Sequence, residues 1–388
     1  MFLYTWPDRG QAIPEISIML DSTGKQVVKK QTPGLSSYAE RLSEIPQYLG
    51  PLLDLASTNI PAQLHSTTSV FILATAGMRF LSESDQNDIW TRVRQFVASS
   101  YSFSFLPEMA FTISGPEEGI YGWITVNYLL GRFTHSSAKP TVGMIDLGGG
   151  SMQIAYQIPY QEDHENIFNV DLSGDKQFTL YATTFLGYGI NAAKSLYKGM
   201  LASNLTNKAK SVVKAEDVSE YSEFINRELA PLREGTELKL RGTGEVPLCS
   251  KKLKPLLRKG VACSLDPCSM KGVHQPSLPA VEFYGLSEFW YTASALDADR
   301  YEKRAFIERG LHYCQMPSSN RKEQEWKNSR CFNAAWISLV LHEGFGFPDS
   351  LNNFYPVNEI NGIEVQWSLG ALLFKFHDSF NRYVSTLQ

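Results

Sequence analysis

No stretch of the 388-residue sequence reaches the roughly 18 consecutive apolar residues that a membrane-spanning helix needs. The start, MFLYTWPDRG, has no basic segment followed by an apolar one, so no secretory leader is read there. Dense Lys/Arg runs are missing too, and 36 basic against 40 acidic residues leave a net charge of -4. That gives no electrostatic footprint for nucleic acid. Tail-like acidic blocks, low-complexity tracts and fixed-period repeats are absent, which sets aside disordered tails and solenoids. Cysteine is scarce: Cys249, Cys263, Cys268, Cys314 and Cys331 form no CxxC pair, and no His pair stands at ligand spacing, which speaks against structural zinc.

What is present is ordinary for a soluble globular protein, with 43% hydrophobic and 20% charged residues. The length exceeds what one core usually serves, so two domains are expected. The cysteines cluster late in the chain, which fits disulfides in a secretory compartment, paired as Cys263–Cys268 and Cys314–Cys331 with Cys249 left over. Five reduced, buried thiols are the alternative. Asn204-Leu205-Thr206 is an acceptor triplet for N-glycosylation, which agrees with a lumenal setting.

Strands, loops and helices alternate along the first part of the chain. Ile16, Ile18 and Leu20 read as half-buried strand positions, and Ser69–Ala74 as a buried strand with Thr75 at its carboxyl end. Ser82 or Ser84 is placed to cap a helix whose Ile89, Val93, Phe96 and Val97 share one face. Met109, Phe111 and Ile113 alternate, and Ser114-Gly115-Pro116 then opens a helix with Glu118 in its first turn. This order predicts an α/β architecture with sites at the strands' carboxyl ends. From about Asp146 to Gly189 the pattern changes to hairpins, and Lys194–Pro276 reads as helices and loops of a second domain.

The chemistry concentrates in VGMIDLGGGSMQ, Val142–Gln153. Val142–Ile145 reads as a strand, Asp146–Ser151 as a tight turn and Met152–Ile158 as a returning strand. Gly148, Gly149 and Gly150 let backbone N–H groups approach an anion with no Cβ in the way. An acidic residue beside a phosphate is repulsive unless a divalent cation intervenes, so Asp146 implies Mg²⁺ or Ca²⁺. Ser151 and Gln153 are then placed to orient an attacking water, and Glu118 to take its proton. The plainer readings are a hairpin needing glycine for backbone angles alone, and Glu117 and Glu118 merely complementing a helix dipole.

ATAGMR (Ala74–Arg79), SGPEEGIYGW (Ser114–Trp123) and DLGGGSMQIAY (Asp146–Tyr156) resemble, in order, three signature regions of the apyrase family, the nucleoside triphosphate diphosphohydrolases. TFLGYG (Thr184–Gly189), RGTGEVPLC (Arg241–Cys249), EFYGLSEFWY (Glu282–Tyr291), CFNAAWI (Cys331–Ile337) and EVQWSLGALL (Glu364–Leu373) extend the resemblance over essentially the whole chain. They look closest to the Golgi and lysosomal branch, which favours nucleoside diphosphates such as UDP and GDP.

The resemblance implies an actin-like (ribonuclease H-like) α/β fold with the active site in an interdomain cleft. Domain I is expected over residues 1–114 plus 353–388 and domain II over residues 115–352. It also implies Glu118 as general base, Ser151 and Gln153 on the nucleophilic water, Asp146 supporting the metal and Thr75 lining the phosphate site. Trp290 and Trp336 fall where the family sandwiches the nucleobase between aromatic rings; core packing is the other reading of each. Gly150 and Met152 stand in place of the family's usual Ala and Thr.

The family's first signature, a second phosphate loop of the form D-x-G-S-[ST], has no counterpart. Phe2–Pro7 match the strand that follows it, so the first strand and first phosphate loop are expected to be missing, as are the branch's membrane anchors. A chain lacking that loop is expected to be poorly active, which makes a non-catalytic nucleotide-binding relative the alternative. An actin-fold enzyme of the exopolyphosphatase or sugar kinase type is the rival enzymatic reading. Oligomeric state cannot be read from the sequence.

Overall fold

The computed structural model describes residues 1–7, 13–134, 139–160, 163–172, 176–206, 244–316 and 330–375. Arg241–Thr243 and the side chains of the Asn204-Leu205-Thr206 triplet lie outside the described residues. The chain divides into two compact units, Met1–Ser114 and Gly115–Gln388.

In the first unit, β1 (Tyr4–Thr5) pairs antiparallel with β2 (Ser17–Ile18), and β3 (Ile72–Ala74) pairs in parallel with β4 (Ala110–Thr112). Ile16 and Ile18 are buried as their alternation predicts, but Leu20 is 58% exposed. The ladder ends at Ile18, and Leu20 makes only a single bridge to Gln26. Helices α1 (Ile45–Asn59), α2 (Ala76–Arg79) and α3 (Glu83–Ser100) complete the unit. Ser82 caps α3, its hydroxyl accepting the Asp85 N–H at 3.1 Å, and Ile89, Val93 and Val97 are buried along one face of it.

In the second unit, α4 (Gly115–Leu129) precedes a six-stranded mixed sheet. Its strands are β5 (Gly143–Leu147), β6 (Ser151–Gln157), β7 (Ile167–Asp171), β8 (Gln177–Leu186), β9 (Phe283–Ser287) and β10 (Phe354–Pro356). They lie in the order β10-β9-β5-β6-β8-β7, parallel from β10 to β5 and antiparallel from β5 to β7. The expected hairpins are the antiparallel half. Helices α5 (Ile190–Thr206), α6 (Val246–Leu253), α7 (Glu288–Ala295), α8 (Lys303–Gln315) and α9 (Arg330–Leu339) follow the strands. Ile145, Leu147, Ile154 and Tyr156 share one core with Phe289, Phe306 and Trp336.

The other sheet face carries α4. Residues 353–375, expected in the first domain, have their contacts in the second unit: β10 extends the sheet, and a helix over 367–375 rests on α4. There the Gly370 N–H donates to Thr125 Oγ1 at 2.8 Å, and a Cβ on Gly370 would stand 1.9 Å from the Tyr121 carbonyl oxygen.

Cys263–Cys268 and Cys314–Cys331 are disulfides and Cys249 is a free thiol, which decides between the two cysteine readings. Among the described residues no helix is long and apolar enough to cross a membrane.

Asn127, fully buried on α4, clasps the start of β5. Its Oδ1 accepts the Val142 N–H at 2.8 Å while its Nδ2 donates to the Val142 and Trp123 carbonyls at 3.2 and 3.0 Å. Asn127→Leu leaves those backbone groups unpaired in a dry interior. We expect a loss of about 2–4 kcal/mol, read as a lower urea midpoint with unchanged slope.

Candidate active site

The pairing register lines three polar side chains across neighbouring strands. Asp146 of β5 lies opposite Gln153 of β6, which lies opposite Thr184 of β8. Directly opposed residues project on one face, so these three form a row beneath α4.

The helix reaches that row because its inner side is stripped to hydrogen at each turn. A Cβ on Gly115 would lie 2.0 Å from Thr184 Cγ2, one on Gly119 3.5 Å from Gln153 Cβ, and one on Gly122 2.6 Å from Met144 Cε. Glu118, between two of these glycines, is brought over Gln153 and is only 7% exposed.

Gln153 Nε2 stands 3.1 Å from Glu118 Oε2, 2.6 Å from Ser151 Oγ and 3.0 Å from Thr184 Oγ1. An amide turned the other way would set its oxygen against the Glu118 carboxylate, so the nitrogen faces it. Two amide hydrogens serve three acceptors. The network therefore carries one more acceptor than Gln153 can satisfy, beside a carboxylate whose chemistry is to accept protons.

The glycine turn is held from one side. The carbonyls of Gly148 and Gly149 accept from Ile190 and Asn191 at the start of α5, both at 2.9 Å, and the Gly150 carbonyl accepts from Gly187 at 2.9 Å. In a trans peptide the N–H points opposite to the carbonyl of the same unit. The N–H groups of Gly149 and Gly150 are thus aimed away from α5, and neither makes a hydrogen bond among the described residues. The α5 N-terminus, which would ordinarily attract an anion, is already filled by the turn's own carbonyls. The free donors are on the opposite side, in a nest suited to phosphate. Gly189 makes this close approach possible, since a Cβ there would fall 2.4 Å from the Ser151 nitrogen.

Asp146, expected to open the turn, lies inside β5, which runs on through Asp146 and Leu147, and it is 8% exposed. Its Oδ1 is buried and has no hydrogen-bond partner. Burial pushes this carboxyl above the usual carboxylate range, and the Ser287 side chain opposes that only in part. A buried oxygen with an unused lone pair fits a divalent cation.

This fold and site can be set beside known proteins. The sequence matches the GDA1/CD39 (nucleoside phosphatase) family over residues 1–385. The chain belongs to that family. Among curated relatives of this nucleoside phosphatase, the nucleoside-diphosphatase mig-23 of Caenorhabditis elegans is 32% identical over 416 residues, spanning 96% of this chain and 74% of the relative. The ectonucleoside triphosphate diphosphohydrolase 7 of Pongo abelii is 33% identical over 430 residues, 97% of this chain and 70% of the relative. A crystal structure of nucleoside triphosphate hydrolases from Neospora caninum superposes with a TM-score of 0.64 at 16% identity, covering 89% of this chain and 79% of that one. That likeness speaks to the fold, the actin-like α/β class expected from the sequence.

Within this nucleoside phosphatase the structure gathers Glu118, Asp146, Ser151, Gln153 and the glycine turn in one unit. Thr75 belongs to the other unit, where it precedes α2 and its carbonyl accepts the Met78 N–H at 3.0 Å. Trp290 is half-buried on α7, with its ring edge-on to Tyr291. Trp336 corrects an expectation: it is 1% exposed, its Nε1 donates to the Tyr188 carbonyl at 3.1 Å, and Phe332 and Tyr188 pack on it. No face is left for a base, so core packing is the reading that fits.

Thr184, Gly189 and Ser287 were not singled out from the sequence. The signal for the first two was TFLGYG, whose threonine falls opposite Gln153 once β6 and β8 are in register.

The raised Asp146 acid favours folding while protonated, and that contribution is lost as pH rises from the ordinary aspartate range through the folded value. At neutral pH without metal its charge opposes folding. Asp146→Asn should therefore raise the metal-free unfolding free energy by about 1 kcal/mol or more, while abolishing stabilisation by added divalent ion; thermal melts in chelator and in magnesium check both.

Proposed function

We propose that this chain hydrolyses nucleoside diphosphates such as UDP and GDP, with triphosphates as a second substrate class, by direct attack of water on the terminal phosphorus. The observation that carries the reading is the buried cluster of Glu118, Gln153 and Ser151 beside a turn whose Gly149 and Gly150 N–H groups are unused among the described residues. The printed names of the relatives, one a nucleoside-diphosphatase and one a triphosphate diphosphohydrolase, agree with a nucleotide substrate.

In this reading the Gly148–Gly150 turn holds the terminal phosphate through backbone donors, as charge builds on its oxygens in the transition state. Ser151 Oγ and the Gln153 amide fix the attacking water in line, and Glu118 takes its proton. Gln153, already bonded to Glu118, keeps that carboxylate aimed at the same point. Asp146 is the residue offered to Mg²⁺ or Ca²⁺, which supplies charge neutralisation for the phosphate oxygens when bound. Thr75 is assigned to the phosphate and Trp290 to one face of the base, whereas Trp336 supports that region from the core. Attack by water leaves no covalent phosphoenzyme, since no side chain in the row need act as nucleophile.

The two disulfides and the Asn204 triplet favour a setting in the lumen of the secretory pathway, where oxidising conditions maintain such bonds.

Glu118→Gln keeps the side chain's size and removes its basicity. Phosphate release from UDP should fall by about 10²–10⁴-fold, with UDP affinity by calorimetry within a few-fold of wild type. Binding of UDP with no turnover in either protein would overturn hydrolysis in favour of nucleotide binding alone. Polyphosphate competing better than UDP would point to the exopolyphosphatase-like alternative.

A further inference from the structure

β8 carries two threonines in succession, and the pleat sends them to opposite faces of the sheet. Thr183 is buried opposite Ile154, a member of the hydrophobic core. Thr184 lies opposite Gln153 on the side of α4, with its Oγ1 3.0 Å from Gln153 Nε2.

Two amide hydrogens face three oxygens, and only two of those oxygens have a part in the proposed reaction, Glu118 as base and Ser151 on the water. Thr184 is the acceptor left over. The three oxygens come from three elements, α4, β6 and β8, so the pair that is bonded sets the plane of the amide. The amide oxygen accepts no hydrogen bond among the described residues, so its direction is fixed through the nitrogen alone.

The setting of Thr184 is the second observation. A Cβ on Gly115 would collide with the Thr184 methyl, so that methyl fills the space a side chain at the start of α4 would need. Branching at Cβ leaves threonine few rotamers. With the methyl seated against Gly115, the hydroxyl is held toward Gln153. Serine would bring the same hydroxyl without that lock, and valine would keep the lock without the hydroxyl.

We propose that Thr184 is a positioning residue for the attacking water, acting through Gln153. With Glu118 and Thr184 taking the two amide hydrogens, the amide is held from α4 and from β8 together, and Ser151 Oγ is released to turn toward the water. Without Thr184 the same turn of Ser151 strands an N–H in a buried site. The inference rests on the reading in which Ser151 and Gln153 hold the water and Glu118 takes its proton. It adds that this hold depends on a residue of β8 that touches neither the water nor the phosphate.

Thr184→Val keeps the shape of the side chain and deletes the hydroxyl, whereas Thr184→Ser returns it. Steady-state phosphate release from UDP in magnesium would be measured for wild type, both variants, Glu118→Gln, Gln153→Met and the double variant Gln153→Met/Thr184→Val, with a urea midpoint for each. We expect Thr184→Val to lower kcat about tenfold with KM within about twofold of wild type, and Thr184→Ser to recover kcat to within about threefold. Added to Gln153→Met, Thr184→Val should change kcat by less than about twofold, because the two residues act as one unit. An unchanged kcat in Thr184→Val, a loss confined to KM, no recovery in Thr184→Ser, or an equal loss with and without the Gln153 amide would overturn the inference. A Thr184→Val chain that does not fold makes the hydroxyl structural and overturns it as well. If wild type and Glu118→Gln release phosphate alike, the assignment of the base fails, and this inference fails with it.

Discussion

The Gln153 amide is the interaction on which the site depends. One nitrogen touches a carboxylate from α4, a hydroxyl from its own strand and a hydroxyl from β8. Three segments distant in sequence are thereby fixed relative to one another within hydrogen-bond tolerance, in a setting from which water is largely excluded. In such surroundings a polar network is either well satisfied and rigid or costly. Rigidity is what the proposed in-line attack requires, because a small misplacement of the reacting atoms costs much of the rate.

That network depends on the close approach of α4 to the sheet. Gly115, Gly119 and Gly122 remove side chains from the face of α4 that meets β5, β6 and β8, and the 367–375 helix covers the other side through Gly370. Glycine inside a helix is unfavourable by about 1 kcal/mol relative to alanine. Several in one helix are tolerable here because α4 is enclosed by tertiary packing, which replaces propensity as the source of its stability. The same proximity buries Glu118, to which the proposed reading gives the proton of the attacking water.

The helix at Glu118, the hairpin around the glycines and the cap at Ser82 were legible in the sequence because each is written locally, in a capping residue, an alternation or a turn composition. The site's outer members were not. Thr184 joins the row only through strand register, and Gly189 meets the glycine turn only because β8 returns beside β6. Trp336 shows the limit from the other side. A tryptophan in a family motif has the same spelling whether its ring faces a ligand or the core, and only the partner of its N–H and the rings against it tell the two apart. Leu20 fails for a related reason: alternation marks a strand face but not where the ladder stops.

The clasp of Asn127 on Val142 has a consequence for fidelity of assembly. A central strand whose every residue is buried, as in β5, has weak means of distinguishing correct pairing from a slip by one, since either face would accept apolar side chains. A slip of one residue would rotate Asp146 through the sheet into the hydrophobic layer and bring Ile145 or Leu147 beneath Glu118. By bonding both the N–H and the carbonyl of a single residue at the strand's entrance, Asn127 indexes β5 to α4, the helix that carries Glu118. The side chain works as an alignment pin, so that the strand cannot seat one position out of step while the chemistry above it stays intact.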